Sequence, residues 1–228
     1  MDKLYIYLPI IFLFLLLFVF QNPTIVKTTV VYLIIFILSS LSGFLTVKGY
    51  FKKGWPFLVE IIVLTVSALL FFLFLSNRFW QYVFIIVFCF FSGLFLKCAY
   101  SFLHQIRVYE PHSLEKVTGL INFMISYWVL SGVGTLMDWD PFRLFSYLDF
   151  ILVFVLFFWL IYSSGQSGSE QRDFKKVITI SLVLSEIYLV IRFLPFGFHL
   201  NALIVSIIYG IIINLWQKNN RLRQSVPK

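Results

Sequence analysis

The chain has 228 residues, 61% of them hydrophobic, 21% aromatic and only 12% charged. Ordinary globular domains hold roughly 45–50% apolar and about 25% charged residues, so this composition excludes a water-soluble fold. The formal net charge is +8, which in a soluble protein would point to nucleic acid; here the basic residues lie where a membrane explains them.

Eight apolar stretches approach the ~20 residues needed to cross a ~30 Å hydrocarbon core as helices. They fall at 4–20, 29–47, 57–76, 80–102, 117–137, 143–162, 177–196 and 200–216. Each is continuously apolar, without the ~10-residue alternation of barrel strands. A helix satisfies its own backbone groups in lipid, so the expected fold is all-α: a polytopic transmembrane helical bundle with eight spans.

The first stretch follows Met1, Asp2 and Lys3 and leads into Gln21, Asn22, Pro23 and Thr24, with no small-residue cleavage site, so it is expected to stay as an anchor. Pro23 also rules out Asn22 as a glycosylation acceptor. Ser39, Ser40, Ser42 and Gly43 in the second stretch are the small residues that let helices approach closely. The third is introduced by Phe51, Lys52 and Lys53 and carries Glu60 near its start. Asn77 suits an N-cap for the fourth. Cys89 and Cys98 lie nine residues apart on that helix, on opposite faces, and are read as apolar fillers without a disulfide. Lys97, near the inner end of the same helix, is placed within reach of Glu60.

The loop 104–116 holds His104, His112, Glu110 and Glu115. With no cysteine nearby it is read as a solvated loop rather than a zinc site. Ser113 is the expected cap of the fifth helix, with Lys116 where a capping box would have Glu. Asn122 and the small run Ser131, Gly132, Val133, Gly134 follow within it. Asp138 and Asp140 are too few for a metal, and Asp140 before Pro141 fits a helix start. The sixth stretch contains Asp149. The loop 163–176 opens on a Ser/Gly-rich linker. Glu186 and Arg192 lie in the seventh, which Pro195 and Gly197 are expected to end. Asn201 and Asn214 lie in the eighth. The tail 217–228 carries four basic residues and no acid, and is read as anchoring at the membrane surface.

Thirteen of the eighteen Lys and Arg fall in the N-terminus, the second, fourth and sixth connections and the C-terminus; Lys27, Arg78, Arg143 and Arg192 fall one apiece in the others. Cytoplasmic flanks retain basic residues, so both termini are expected in the cytoplasm. Trp80 and Trp139 then mark the outer interface, and Trp55 and Trp216 the inner one. The chain reads as one transmembrane domain of the plasma (inner) membrane. A pseudo-repeat of 1–103 and 117–216 pairs Glu60 with Glu186 and Asn77 with Asn201.

Charged groups inside spans cost on the order of 2.5–3.5 kcal/mol and therefore face partners or cavities. At ~1.5 Å per residue, Asp149 lies ~10 Å below the outer face, Arg192 ~6 Å and Glu186 ~15 Å. Asp149, Glu186 and Arg192 thus form the candidate substrate-binding set. Asp149 is expected to reach Arg192 across helices, with Glu186, about 120° around the seventh helix from Arg192, bonded to a Ser or Asn. The alternative is a polar path from His199 and Arg192 past Asp149 to Glu186.

The stretch Ser185, Glu186, Ile187, Tyr188 and onward through Phe196, then Asn201, Ala202, Leu203, Tyr209 and Gly210, resembles an uncharacterised family. Its members are small membrane proteins of candidate-phylum (Patescibacteria-like) bacteria; the joint 100–117 is similar too. The resemblance covers most of the chain on apolar motifs and implies an eight-helix membrane protein with no assigned activity. The family position of Arg192 is usually small and polar, so this chain departs there.

No HExxH, GxSxG, P-loop, Rossmann or CxxC pattern is present. No catalytic residue, cofactor or metal is therefore expected. The leading expectation is a non-enzymatic scaffold or subunit of a membrane assembly, with lipid and other membrane subunits as partners and no nucleic acid. The alternatives are a small proton-coupled or solute transporter using Glu186, Asp149 and Arg192, and a lipid-modifying enzyme with Asp138, Asp140 or His199 at the outer surface.

Overall fold

The computed structural model describes residues 25–75, 77–104, 113–137, 146–164 and 174–224. Within them the chain is all-α, with seven helices: α1 (Ile25–Val47), α2 (Phe51–Phe74), α3 (Arg78–Leu103), α4 (Ser113–Met137), α5 (Ser146–Ser164), α6 (Phe174–Arg192) and α7 (Phe198–Gln224). The stretch 4–20, the acids Asp138 and Asp140, and Pro141 lie outside the described residues.

Five helices, α1 to α4 and α7, are long and apolar enough to cross a membrane. Of the other two, α5 has an apolar run of Asp149–Ser163 among the described residues, and α6 holds Lys175, Lys176, Glu186 and Arg192 within nineteen residues. The chain folds as two compact units, Met1–Ile121 and Asn122–Lys228, with the boundary inside α4.

In the first unit α1 and α2 form an antiparallel hairpin. Gly49 turns the chain at φ +89°, a left-handed conformation that costs glycine nothing. Tyr50 N–H then donates to the Val47 carbonyl at 2.9 Å, and the Tyr50 carbonyl accepts from Lys53 and Gly54, starting α2. Gly43 brings the helices together, since a Cβ there would stand 2.7 Å from Cγ2 of Ile61. Polar side chains in these helices mostly bond back to their own backbone, as Thr46 does to the Ser42 carbonyl and Thr65 to that of Ile61, both at 2.8 Å.

Helix α3 packs antiparallel on α2 through aromatic pairs. Phe57 meets Phe95 and Phe102 at ring separations of 6.4 and 5.9 Å, and Phe71 meets Phe84 at 5.3 Å. Asn77 caps α3 as expected, its side-chain oxygen accepting from Phe79 N–H at 2.9 Å. His104 ends α3, stacked on Tyr100 at 4.0 Å and edge-on to Tyr50 at 5.1 Å, so this histidine is part of the ring packing.

In the second unit Asn122 of α4 donates to Ser163 Oγ at 3.4 Å and to the Leu160 carbonyl at 3.5 Å, tying α4 to the end of α5. Phe157 of α5 meets Tyr209 of α7 at 5.7 Å. Along α5, Phe150, Phe154, Phe158 and Tyr162 stack one turn apart at 6.5, 6.4 and 6.1 Å. Their i,i+4 spacing puts them on one helix face.

Several helix boundaries differ from the expected stretches. Ser113 has helical backbone within α4, where an N-cap was expected. Helix α6 stops at Arg192, four residues before 196. The residue before a proline disfavours the helical region, so the chain leaves the helix ahead of Pro195 through tight bonds from Phe193 to the Val190 carbonyl and from Leu194 to that of Ile191. Helix α7 continues past Trp216 to Gln224, so part of the basic tail is helical.

Candidate functional site

Helix α5 carries Asp149 in its first turn, and α6 ends on Arg192. A carboxylate near a helix N-terminus and a guanidinium at a helix C-terminus are each favoured by the backbone dipoles. The two helices pack together, and the expected ion pair forms: Arg192 Nη1 donates to Asp149 Oδ2. The Asp149 side chain is 0% exposed and that of Arg192 24%. Tyr188, one turn before Arg192, lies on the buried face of α6. The second carboxylate oxygen, Oδ1, is buried without a hydrogen-bond partner.

Glu186 does not join them. The buried face of α6 is Val177, Ser181, Leu184, Ser185, Tyr188 and Ile191, and Glu186 falls on the opposite side with the exposed Leu182, Val183 and Val190. The hydrogen bond to Ser or Asn expected of it is absent among the described residues, and so is the path from Asp149 to Glu186. Six residues of helix separate Glu186 from Arg192, and the 120° between them sends one inward and the other out.

The remaining polar groups of the second unit lie nearby in sequence. Ser131 Oγ and His199 Nδ1 share a hydrogen bond between α4 and the start of α7. Asn201, expected to open the last helix, sits in its first turn and donates to the Phe196 carbonyl at 3.1 Å, while its own Oδ1 is buried without a partner. Ser206 Oγ and Asn122 Oδ1 are likewise buried and unpartnered. Asn214 is exposed.

In the first unit the expected Glu60–Lys97 pairing does not occur. Glu60 is 2% exposed and its Oε1 has no hydrogen-bond partner, whereas Lys97 points outward and is exposed. Depth along the helix put the two at one level, but their directions around the helix axes keep them apart. Spacing along the chain does not reveal the isolation of Glu60.

Among the described residues no group of three His, Cys, Asp or Glu side chains is placed to hold a metal ion. Neither family models, curated proteins nor solved structures give a match to this chain.

Proposed function

We propose that this chain is a multi-pass subunit or scaffold of a larger plasma-membrane assembly, with eight spans and cytoplasmic termini. The carrying observation is the placement of Glu186. It stands on the exposed side of α6, amid Leu182, Val183 and Val190, with no hydrogen bond or ion pair among the described residues.

An acid facing lipid in the middle of a span costs several kcal/mol, and such groups face partners or cavities. The interior of α6 offers Glu186 no partner. A neighbouring helix with a basic or hydrogen-bond-donating side chain offsets that cost and exploits the apolar stripe around it. The arrangement favours the transporter alternative less, because Arg192 pairs with Asp149 while Glu186 faces the other side of α6.

The test is a photo-crosslinking amino acid in place of Val183 or Val190, followed by purification in mild detergent. A discrete adduct with another membrane chain, weakened by Glu186→Leu, is the expected result. A monodisperse monomer with no adduct from either position overturns the reading.

A further inference from the structure

Lys97 is the counterpart of Glu186 in the first unit: an ionisable side chain on the exposed side of an apolar helix. It lies inside the span Phe79–Leu103, whereas Lys53 and Lys116 stand at the first residue of theirs. Among the described residues neither Lys97 nor Glu186 forms an ion pair; the pair that does form joins Arg192 to Asp149.

Each charge sits on a stripe with heptad spacing. On α6, Thr179, Val183, Glu186 and Val190 follow at intervals of four, three and four, and all four are exposed. Phe193, just past the helix end and 87% exposed, continues the stripe. On α3, Ile86, Phe90, Gly93 and Lys97 follow at the same intervals. Ile86 and Phe90 are 61% and 62% exposed. A mean spacing of 3.5 residues keeps a stripe against one neighbouring helix through a left-handed crossing, the commonest geometry in membrane bundles. Gly93 supplies the small residue that lets a second backbone come close.

Depth agrees as well. Counted from the cytoplasmic edges of the apolar stretches 80–102 and 177–196, Gly93 and Glu186 each stand nine residues in, and Lys97 five. At ~1.5 Å per residue this puts the first two ~14 Å deep and Lys97 ~8 Å. In the eight-span arrangement proposed above, on which this inference rests, α3 enters the membrane from the outer face and α6 from the inner. Helix side chains lean toward the N-terminus, so Lys97 leans deeper and Glu186 leans toward it. The flexible four-carbon stem of the lysine covers the remaining turn, bringing its ammonium to the level of Gly93 and of Glu186.

We infer that the partner of Glu186 is a second copy of this chain. The α6 stripe of one copy docks antiparallel on the α3 stripe of the next, and Glu186 pairs with Lys97 within the membrane. Each copy carries one acidic edge and one basic edge, so the chain encodes its own complement. Both charges already face lipid in the single copy, where they are costly. Their pairing therefore lacks the desolvation penalty of an ion pair drawn from water. A charge at one position of an apolar seam also fixes the register of the two helices.

The test uses the full chain in cell membranes, as two copies with different tags, one of them with a photo-crosslinking amino acid in place of Phe90. The expected product is an adduct that bears both tags and whose linked peptide comes from α6 near Val190. Lys97→Glu in the crosslinker copy sets two acids face to face and is expected to lower the yield about tenfold or more. Glu186→Lys in the other copy then restores it, which also shows that both variants fold. If either variant fails to insert, the mapped adduct of the native charges decides. An adduct with both tags that ignores Lys97→Glu, or that maps outside α6, overturns the inference, as does one formed within a single copy. Capture of a different chain only, from Phe90, Val183 or Val190, overturns the second copy as partner and leaves the assembly reading standing. No adduct from any of the three positions overturns both.

Discussion

Arg192 and Asp149 occupy unequal positions in their ion pair. The aspartate is fully buried while a quarter of the arginine side chain reaches the surface, so losing the arginine strands a charge and losing the aspartate does not. Breaking a buried pair from one side costs ~3–5 kcal/mol. For Arg192→Gln we expect the lower end of that range, since solvent reaches the arginine. Asp149→Asn costs less, and the double variant recovers most of the loss. Thermal unfolding of the four proteins in detergent, followed by tryptophan fluorescence, checks the order; equal losses from the two single variants would show that burial of Asp149 is not the governing term. The pair was legible in the sequence because depth along two adjacent helices is simple arithmetic. The direction of Glu186 was legible in principle. Ser181, Ser185 and Tyr188 form the less apolar stripe of α6 and turn inward, because lipid rewards the apolar side for facing out. The three charges taken alone do not reveal that stripe. Glu60 was hidden differently: whether Lys97 turns toward it depends on how α2 and α3 are rotated against each other, and spacing along one chain does not encode that rotation.

Helix edges show what hydropathy measures. Apolar runs report the thickness of the hydrocarbon, whereas a backbone hydrogen-bond ladder continues until something stops it. Helix α2 therefore starts at Phe51, six residues before the apolar run at 57, and α7 passes Trp216 to reach Gln224. Stops written in chemistry were readable to within a few residues, as with Asn77 before α3 and Pro195 after α6. Close approach between helices was readable only as a stripe of small residues. The structure singles out Gly43, whose absent Cβ leaves room for Ile61. Ile61 is 1% exposed and β-branched, so it has little freedom to move aside. Gly43→Ala is expected to cost about 1–3 kcal/mol through overpacking. Gly119 in α4 has nothing within 4 Å of the equivalent position, and Gly119→Ala is expected to gain up to ~1 kcal/mol from helix propensity. Opposite shifts in the thermal midpoints of these two variants check the hairpin packing; shifts of the same sign contradict it.

At the scale of the molecule, the number of crossings decides what faces which compartment. Five helices qualify as spans by length and composition. Helices α5 and α6 are not among them, since the described apolar run of α5 is Asp149–Ser163 and α6 holds four charges, yet Arg192 is paired with Asp149 and Lys175 and Lys176 stand at the start of α6. Counting both as spans gives seven among the described residues, and the apolar stretch 4–20 makes eight. Parity then becomes measurable. With eight crossings Lys3 and Ser225 lie on one side of the membrane; with seven they lie on opposite sides. The distribution of basic residues is the ground for proposing the cytoplasm as that shared side. In intact cells an impermeant maleimide should therefore label neither Lys3→Cys nor Ser225→Cys until the membrane is opened, and should label Trp139→Cys directly. The wild-type chain serves as the blank, since Cys89 is buried and Cys98 half-buried. Labelling of Lys3→Cys alone in intact cells would remove the first crossing and leave seven. Labelling of Ser225→Cys with Trp139→Cys protected would invert the whole arrangement, and the outward end assigned to Arg192 and His199 would become the cytoplasmic one.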